Sequence, residues 1–285
     1  MYIYINGKIT LAKNANINVM DLGLLRGFGI FDFLQNINGI PLFIDDYLDR
    51  FENSARLMDL EFPEKNRSIL IQNILKLIKK NNFRHSGLRL ILTGGYSEDA
   101  FSPTLPNFII VEQEIKQNSD YQGFINGEKL ILHEYTREIP KIKTTNYIVP
   151  ILLQKKWKNE GAIDVLYHEN GFVTESSRSN FFIINENDEI LTPDENVLHG
   201  ITRKKIIEII KQKSLKLSIR NITLEETLNA KEAFITSSTK GILPIVQLDK
   251  YKINDGKVGQ LTKELMQDFI EMQNNYIVLQ TKIKK

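Results

Sequence analysis

The chain has 285 residues, of which 42% are hydrophobic and 25% charged, and its formal net charge is +2. This composition is typical of a soluble globular protein with one large or two ordinary domains, and it gives no reason to expect a nucleic-acid partner. The absence of cysteine excludes disulfides, thiolate metal sites and cysteine nucleophiles, and the four histidines have no metal-ligand spacing, so no metal site is predicted.

The N-terminal part of the chain predicts an antiparallel sheet with two helices. It begins without a signal-peptide pattern, and no apolar run reaches transmembrane length, so we expect a cytoplasmic protein without a membrane partner. Asn6-Gly7 and Asn38-Gly39 are strong turn signals and predict two hairpins. The loop 93–103 is long for a hairpin, so we expect it to line a site. The predicted elements are strands over 2–5, 8–11, 30–34, 40–43, 87–92 and 107–112, and helices over 45–58 and about 63–81.

Residues 113–125 are polar and weakly periodic, which predicts a domain boundary. We assign 1–117 to a small N-terminal domain, 118–125 to a linker and 126–285 to a larger domain. The residues from Gln280 onward are predicted to form a frayed basic tail. The larger domain is predicted to contain strands near 129–135, 163–168, 172–174, 180–184, 189–191, 215–220, 232–237 and 243–247, and helices near 146–160, 202–213, 224–229 and 258–274.

Two segments of the larger domain carry the chemistry. Residues 137–147 read Arg-Glu-Ile-Pro-Lys-Ile-Lys-Thr-Thr-Asn-Tyr, and residues 173–182 read Val-Thr-Glu-Ser-Ser-Arg-Ser-Asn-Phe-Phe. A lysine followed by x-x-Asn-Tyr, and then by Thr-Glu-Ser-x-x-Ser-Asn, resembles the core of the fold-type IV pyridoxal-phosphate (PLP) enzymes. The resemblance extends over about residues 20–248. That family contains D-amino-acid transaminases, branched-chain aminotransferases and aminodeoxychorismate lyases.

The resemblance implies a fold, a cofactor and an assembly. The implied fold class is α+β in two domains, with a small α/β N-terminal domain and a larger C-terminal pseudo-barrel of strands. The implied cofactor is pyridoxal 5′-phosphate, and the implied functional unit is a homodimer that acts on small-molecule amino acids and 2-oxo acids.

Lys143 and Glu175 match the two central residues of the family. Lys143 is implied as the catalytic Schiff-base lysine, and Lys141 is a competing candidate that the spacing to the asparagine disfavours. Glu175 is implied as the anion that keeps the pyridine nitrogen protonated, so that the ring accepts electrons. Arg137 precedes Lys143 by six residues, which on an extended strand places both on one face, and we expect Arg137 to hold Glu175 ionised.

Other residues match the family's cofactor contacts. Tyr147 matches the tyrosine that hydrogen-bonds the cofactor's phenolic oxygen, with plain core packing as the alternative. Arg50 matches the arginine that reaches the phosphate, and its alternative is a solvated helix arginine. The remaining phosphate ligands implied are Ile201 and Thr202 at a helix start, together with Ser238 and Thr239 in a loop after a strand.

The substrate residues depart from both standard patterns. The loop after 87–92 lacks the Arg-x-His of typical D-amino-acid transaminases, and the segment from Phe31 reads Phe-Asp-Phe-Leu-Gln where branched-chain enzymes have Phe-Glu-Gly-x-Arg. Our hypothesis is that Arg26, supplied by a neighbouring subunit, and Arg178 bind the substrate carboxylate near the pocket aromatic Phe31. Arg89 is a third candidate, and the alternative is that Arg26 and Arg178 are structural.

The favoured function is a PLP-dependent aminotransferase that uses D-amino acids such as D-alanine or D-glutamate and a 2-oxo acid such as 2-oxoglutarate. Two alternatives within PLP chemistry remain, an L-branched-chain amino acid aminotransferase and an aminodeoxychorismate lyase. A cofactor-free protein that binds a sugar or nucleotide phosphate is the alternative from another class.

Overall fold

The computed structural model describes residues 1–62, 64, 66–116 and 122–283, and the chain divides into two compact units. Unit 1 comprises Met1–Gln117, Ile142–Asn146 and Tyr276–Lys285, and unit 2 comprises Asn118–Lys141 and Tyr147–Asn275. The predicted domains differ from these units. The prediction places all of 126–285 in one domain, whereas Ile142–Asn146 and Tyr276–Lys285 belong to unit 1. Of the predicted linker, residues 118–121 lie outside the described part of the chain.

Unit 1 contains a six-stranded sheet in which neighbouring strands are antiparallel. Its strands are β1 (Tyr2–Ile5), β2 (Lys8–Leu11), β3 (Gly29–Ile37), β4 (Ile40–Pro41), β5 (His85–Thr93) and β6 (Phe108–Glu114), in the order β2-β1-β6-β5-β3-β4. Its helices are α1 (Leu22–Leu25), α2 (Ile44–Leu57) and α3 (Arg67–Asn81). The helix α2 buries one apolar face that contains Tyr47, Leu48, Phe51 and Ala55.

Both predicted hairpin turns of unit 1 are confirmed. Asn6 and Gly7 have φ angles of 45° and 86°, and Asn38 and Gly39 have φ angles of 52° and 79°. Two positive φ angles in succession are the turn geometry that Asn-Gly adopts readily and that matches the twist of the flanking strands. The turns therefore set the registers of β1 with β2 and of β3 with β4.

One predicted boundary in unit 1 is wrong for a local reason, and another falls on a residue outside the described part of the chain. The return strand was expected over 40–43 but ends at Pro41, because Phe43 takes a left-handed conformation with φ 50° and α2 begins at Ile44. The helix α3 begins at Arg67 because the Asn66 side chain accepts hydrogen bonds from the amides of its first turn. The expected start at 63 lies outside the described residues.

A short segment distant in sequence pairs with the beginning of β3. The amide of Phe31 donates to the carbonyl of Lys143 at 2.9 Å, and the amide of Thr145 donates to the carbonyl of Gly29 at 2.9 Å. A side chain at Gly29 would meet the Leu92 carbonyl at 2.9 Å and the Thr145 hydroxyl at 3.4 Å, so only glycine permits this approach. This pairing explains why Ile142–Asn146 belongs to unit 1.

Unit 2 contains the expected pseudo-barrel, which is closed by six strands. Its strands are β7 (Glu128–Glu134), β8 (Asp164–Glu169), β9 (Phe172–Ser176), β10 (Ser179–Ile184), β11 (Ile190–Thr192), β12 (Leu217–Ile219), β13 (Ile222–Thr223), β14 (Glu232–Ser237), β15 (Gly241–Leu248) and β16 (Tyr251–Lys252). The ring runs β10-β14-β15-β7-β8-β9 and closes because β9 also pairs with β10. Its helices are α4 (Gly123–Asn126), α5 (Ile148–Asn159), α6 (Ile201–Gln212), α7 (Leu224–Leu228) and most of α8 (Gln260–Ile283).

Side chains of the barrel strands alternate between two apolar clusters. Leu166 of β8 and Phe181 of β10 belong to a cluster that also includes residues of β7, β14 and β15. Val165 and Tyr167, on the opposite side of β8, pack with Trp157 of α5. Because successive strand residues face opposite sides, the barrel leaves Tyr167 on its outer face.

The last helix, α8, differs from the prediction at its C-terminal end, and a buried acid stabilises its N-terminal end. The residues from Gln280 to Ile283 are helical rather than a frayed tail. At the other end, the buried carboxylate of Glu232 accepts hydrogen bonds from the amides of Leu261 and Thr262 and from the Thr262 hydroxyl, at 3.2, 2.8 and 2.6 Å. An acid at a helix start satisfies amides that lack partners within the helix. Among the described helices, none is both long and apolar enough to cross a membrane.

We predict that Glu232→Ala lowers the free energy of unfolding by about 2 kcal/mol, because it removes three hydrogen bonds from the first turn of α8. Urea denaturation followed by circular dichroism measures this change. The matched control is Glu264→Ala, an exposed acid of the same helix, which we expect to change stability by less than about 0.5 kcal/mol. Equal effects of the two substitutions would contradict the capping role.

Candidate active site

Lys143 lies over the ring of Phe31 in unit 1. Its Nζ is 4.8 Å from the centroid of that ring, and its backbone carbonyl accepts from the Phe31 amide. The side chain is half-buried, whereas Lys141 is exposed and lies in a turn. The face of the Phe31 ring attracts the Lys143 amine at short range and holds the end of that side chain in place. The structure therefore distinguishes the two lysines, and only Lys143 faces a predicted pocket residue.

Arg89 shares the same aromatic ring. It lies on β5, and its guanidinium carbon is 5.7 Å from the centroid of Phe31 and 5.9 Å from that of Phe33. Its side chain is exposed, so its donors are available to a ligand. The sheet of unit 1 thus brings together three of the predicted residues, an amine, an aromatic ring and a guanidinium.

Arg50 lies beneath the other face of β3. It donates from Nε and Nη2 to the two carboxylate oxygens of Asp32, at 2.9 and 2.6 Å, and its guanidinium lies 5.4 Å from the ring of Tyr47. The Asp32 side chain is 1% exposed and that of Arg50 11%. A forked pair of this kind fixes the orientation of the arginine. Phosphate binding by Arg50 stays a prediction, and Asp32 is the partner that would position it.

Arg26 lies in the glycine-rich segment and is exposed. It directly follows α1, and its Nη1 donates to the carbonyl of Leu25 at 3.0 Å. The next residue, Gly27, has φ 64° and accepts at its carbonyl from the Thr145 hydroxyl at 2.9 Å. The segment that carries Arg26 is therefore tied to the strand-like segment that carries Lys143. Its role in carboxylate binding stays a prediction.

Glu175 lies on β9 in unit 2, with 5% of its surface exposed. Its Oε1 accepts from Nε of Arg137 at 2.7 Å, and its Oε2 accepts from the amide of Leu198 at 3.0 Å. The expected contact with Arg137 is therefore present. A carboxylate offers about four acceptor positions, so Glu175 retains capacity for a further donor.

The predicted reason for the contact between Arg137 and Glu175, a continuous strand through Lys143, is nevertheless wrong. Residues 136–147 do not form a continuous strand, because the chain turns at Pro140 and Lys141. Arg137 donates to the Pro140 carbonyl from Nη2, which places its guanidinium in unit 2, while Lys143 belongs to unit 1. The two side chains do not share one strand face.

The predicted phosphate ligands of unit 2 occupy a helix start and a tight turn. Ile201 and Thr202 begin α6, which has 12 residues and follows Gly200 in an extended conformation. Ser238 and Thr239 lie in the turn between β14 and β15. The free amides of a helix start bind phosphate favourably. Phosphate binding by these four residues stays a prediction.

Arg178 lies in the turn between β9 and β10, beside a buried acid that the sequence analysis did not single out. Its Nε is 3.8 Å from Oδ2 of Asp164, and its side chain is 57% exposed while that of Asp164 is fully buried. Asp164 also accepts from the Ser177 hydroxyl at 2.6 Å. Burial lowers the pKa of Lys240, Arg178 lowers it further and Asp164 raises it, so Lys240 shares this neighbourhood. Arg178 therefore lies beside the buried Asp164 carboxylate, and its exposed N–H groups can still donate to a ligand.

The residues of unit 2 fit a PLP ring. Tyr167 and Thr236 are buried, and neither hydroxyl has a hydrogen-bond partner among the residues that the structure describes. Unpaired buried hydroxyls are rare and indicate a ligand or another special role. Glu175 supplies an anion with acceptor capacity for a ring N–H, and the start of α6 suits a phosphate. Tyr167 and Thr236 were not predicted as site residues, because β8 and β14 contain other polar residues and no local pattern distinguishes these two.

Metal binding has no comparable candidate. In the part of the chain that the structure describes, no group of three or more His, Asp or Glu residues could hold a metal ion.

Comparisons with known proteins identify the family of this chain. The sequence model of the family Amino-transferase class IV matches residues 29–248. A protein of Methanocaldococcus jannaschii that carries the provisional name branched-chain-amino-acid aminotransferase is 27% identical over 284 residues, which cover 97% of this chain and 98% of that protein. The D-alanine aminotransferase of Listeria monocytogenes serotype 1/2a is 29% identical over 282 residues, covering 95% and 96%.

The solved structures resemble this fold closely. The branched-chain amino acid aminotransferase of Escherichia coli superposes with a TM-score of 0.88 at 21% identity and covers 95% of this chain and 94% of that one. Another branched-chain amino acid aminotransferase of this fold, with a TM-score of 0.87, was solved with pyridoxamine 5′-phosphate. The family match extends over most of the chain, and the fold agrees with it. This chain therefore belongs to the class IV aminotransferases, fold-type IV enzymes that depend on pyridoxal 5′-phosphate.

Proposed function

We propose that the chain is a transaminase of D-amino acids, such as D-alanine or D-glutamate, with a 2-oxo acid such as 2-oxoglutarate as the amino acceptor. The observation that carries the proposal is the position of Lys143 and Arg89 over one aromatic ring, Phe31. An amine nucleophile beside an exposed guanidinium suits a substrate that carries a carboxylate. The 29% identity with D-alanine aminotransferase over 95% of the chain supports the choice of D-amino acids.

In the proposed mechanism, residues of both units act on the cofactor or the substrate. PLP, when bound, supplies an electrophilic carbon and an electron-withdrawing ring. Lys143 acts as the nucleophilic amine and as the base and acid that moves the substrate α-proton, for which its Nζ must be able to shed and regain a proton. Glu175 would accept a hydrogen bond from the protonated ring nitrogen, and Arg137 orients that carboxylate by donating to it. Ile201 and Thr202 provide amides for the phosphate.

A second candidate function, an L-branched-chain amino acid aminotransferase, is favoured by the loop between β5 and β6. This loop exposes three apolar side chains, Tyr96, Phe101 and Leu105, with exposed fractions of 41%, 79% and 75%. Asp99 holds the loop together by accepting from Ser97, Phe101 and Ser102, and these bonds lower the pKa of Asp99. An apolar loop held in one conformation suits recognition of an apolar side chain.

The experiment that separates the two functions is the half-reaction with single amino acids. The purified protein is mixed with D-alanine, D-glutamate or L-leucine, and the visible absorption band of the cofactor is followed over time. Loss of the band with the D-amino acids alone supports the proposal, and loss with L-leucine alone supports the second candidate. A protein without a visible band would contradict both functions.

We predict that Arg89→Ala raises the KM for 2-oxoglutarate by about 10- to 100-fold, which corresponds to the loss of one charge-assisted hydrogen bond. The double variant Arg26→Ala/Arg178→Ala should raise the KM for both substrates by orders of magnitude if those arginines bind the carboxylate. Steady-state kinetics measures both. The matched control is Arg84→Ala, another exposed arginine of unit 1, whose kinetics we expect to be unchanged. Normal kinetics in both arginine variants would contradict carboxylate binding by these residues.

We propose a homodimer as the functional unit, and exposed apolar surface supports it. The helix α5 exposes Ile148, Ile151 and Leu152 by 62%, 70% and 73%. These positions are three and four residues apart, so they form one stripe on the helix. A contiguous exposed apolar stripe is typical of a protein–protein interface.

We predict that Leu152→Glu converts the dimer to monomers, because it places a charge in an apolar interface. Light scattering coupled to size-exclusion chromatography measures the mass. Lys211→Glu, at an exposed position of α6 and therefore outside this stripe, is the control and should leave the mass unchanged. A wild-type protein that is monomeric at micromolar concentration would contradict the homodimer.

A further inference from the structure

Tyr167 carries a buried hydroxyl that the fold does not use. Its side chain lies on β8 with 1% of its surface exposed, and its Oη has no hydrogen-bond partner in the described part of the chain. Leaving such a group unpaired in an apolar environment is unfavourable, and most buried hydroxyls therefore have partners. Phenylalanine would fill the same space without that cost, so the hydroxyl needs another explanation.

A β-bulge directs Tyr167 toward Glu175. Leu166 pairs with Ser176 and His168 pairs with Val173, so one residue of β8 faces two residues of β9, Thr174 and Glu175. The Thr174 hydroxyl donates to the Tyr167 carbonyl at 3.3 Å. Bulges of this kind frequently occur beside active sites, where they redirect a side chain.

Packing fixes the position of the phenol ring. Tyr135 contacts it edge to face, with 5.0 Å between ring centroids and an interplanar angle of 70°. Trp157 and Val165 belong to the same buried cluster. A ring held on several sides presents its hydroxyl in one direction, which is a requirement for recognising a ligand.

Electrostatics keeps the hydroxyl protonated. Burial raises the pKa of Tyr167, and so do the neighbouring groups Asp164, Tyr135, Glu175 and Tyr147. The hydroxyl is therefore a donor at physiological pH. The oxygens of Glu175 accept from Arg137 and Leu198 rather than from Tyr167, so no described residue accepts from the Tyr167 hydroxyl.

We propose that Tyr167 is a further cofactor-binding residue, whose hydroxyl donates a hydrogen bond to the phenolic oxygen of bound PLP beside Tyr147. The inference rests on the proposed function, which gives Glu175 to the ring nitrogen, and on the family resemblance, which implies Tyr147 at that oxygen. Tyr167 neighbours both residues, and the phenolic oxygen is an anionic acceptor that suits a protonated phenol.

The test is Tyr167→Phe, which keeps the ring and removes only the oxygen. In the holoenzyme we expect the Kd for PLP to rise about tenfold, the effect of one lost hydrogen bond, and the visible absorption band to shift. In the cofactor-free protein we expect Tm to rise by about 2 °C, because an unpaired buried hydroxyl has been removed. A residue that only packs the core would not give this opposite pair of effects.

The control is Tyr135→Phe, which removes a hydroxyl from the ring in contact with Tyr167 and should leave the PLP affinity and the band unchanged. An unchanged Kd together with an unchanged band in Tyr167→Phe would overturn the inference and leave the proposed function intact. Failure of the wild-type protein to bind PLP would overturn the proposed function and this inference with it. The two failures are therefore distinguishable.

Discussion

Replacing Lys143 by alanine should abolish transamination, with kcat falling by at least about 10⁴-fold. The variant loses both the nucleophilic amine and the group that moves the α-proton, and proton transfer alone contributes up to about that factor. The fold should persist, because the Lys143 side chain is half-buried over Phe31 and its backbone carbonyl still accepts from the Phe31 amide. Activity with the preferred amino acid and 2-oxoglutarate measures the loss.

Lys141→Ala is the matched control for this result. Lys141 is exposed and lies in the turn two residues earlier, so its removal should leave kcat within about twofold of the wild type if the roles follow the structure. Substantial activity in Lys143→Ala with loss of activity in Lys141→Ala would show that the wrong lysine had been chosen.

Replacing Glu175 by glutamine should lower kcat by about 10²- to 10³-fold, the effect typical of losing one preorganised electrostatic partner at a reacting group. The amide oxygen can replace only one of the two acceptors that Arg137 and the Leu198 amide use, and the side chain no longer provides a negative charge for a protonated ring nitrogen. The cofactor content of the variant is measured by absorbance, so that a weaker reaction can be separated from a lost cofactor.

Glu169→Gln is the control for the second result, because Glu169 ends the neighbouring strand and is exposed. We expect its kcat to equal that of the wild type. A holoenzyme of Glu175→Gln with normal kcat would contradict the assignment of Glu175 to the ring nitrogen.

Features encoded by adjacent residues were predictable from the sequence. The Asn-Gly turns at Asn6 and Asn38 depend on two residues each, and both are confirmed. The family was identified from two short motifs around Lys143 and Glu175, and the match over 29–248 confirms it. The pseudo-barrel followed from the family and not from periodicity, because periodicity shows strands but not how they close.

Features that depend on distant pairing were not predictable. The hydroxyl of Thr145 contacts the carbonyl of Gly29, 116 residues away in sequence, and no local pattern indicates that contact. The turn at Pro140 separates Arg137 from Lys143, although a strand was assumed there. The bulge that directs Tyr167 and the absence of a partner for its hydroxyl emerge only when β8 and β9 are paired.

We propose that Lys143 forms the covalent bond to PLP, and chemical reduction followed by peptide mapping tests this. The purified protein is reduced with sodium borohydride, which makes the bond between the cofactor and its lysine permanent, and is then digested and mapped by mass spectrometry. We expect the added mass of the reduced cofactor at Lys143 and at no other lysine. The modification at Lys141, or a protein without any modification, would contradict the claim.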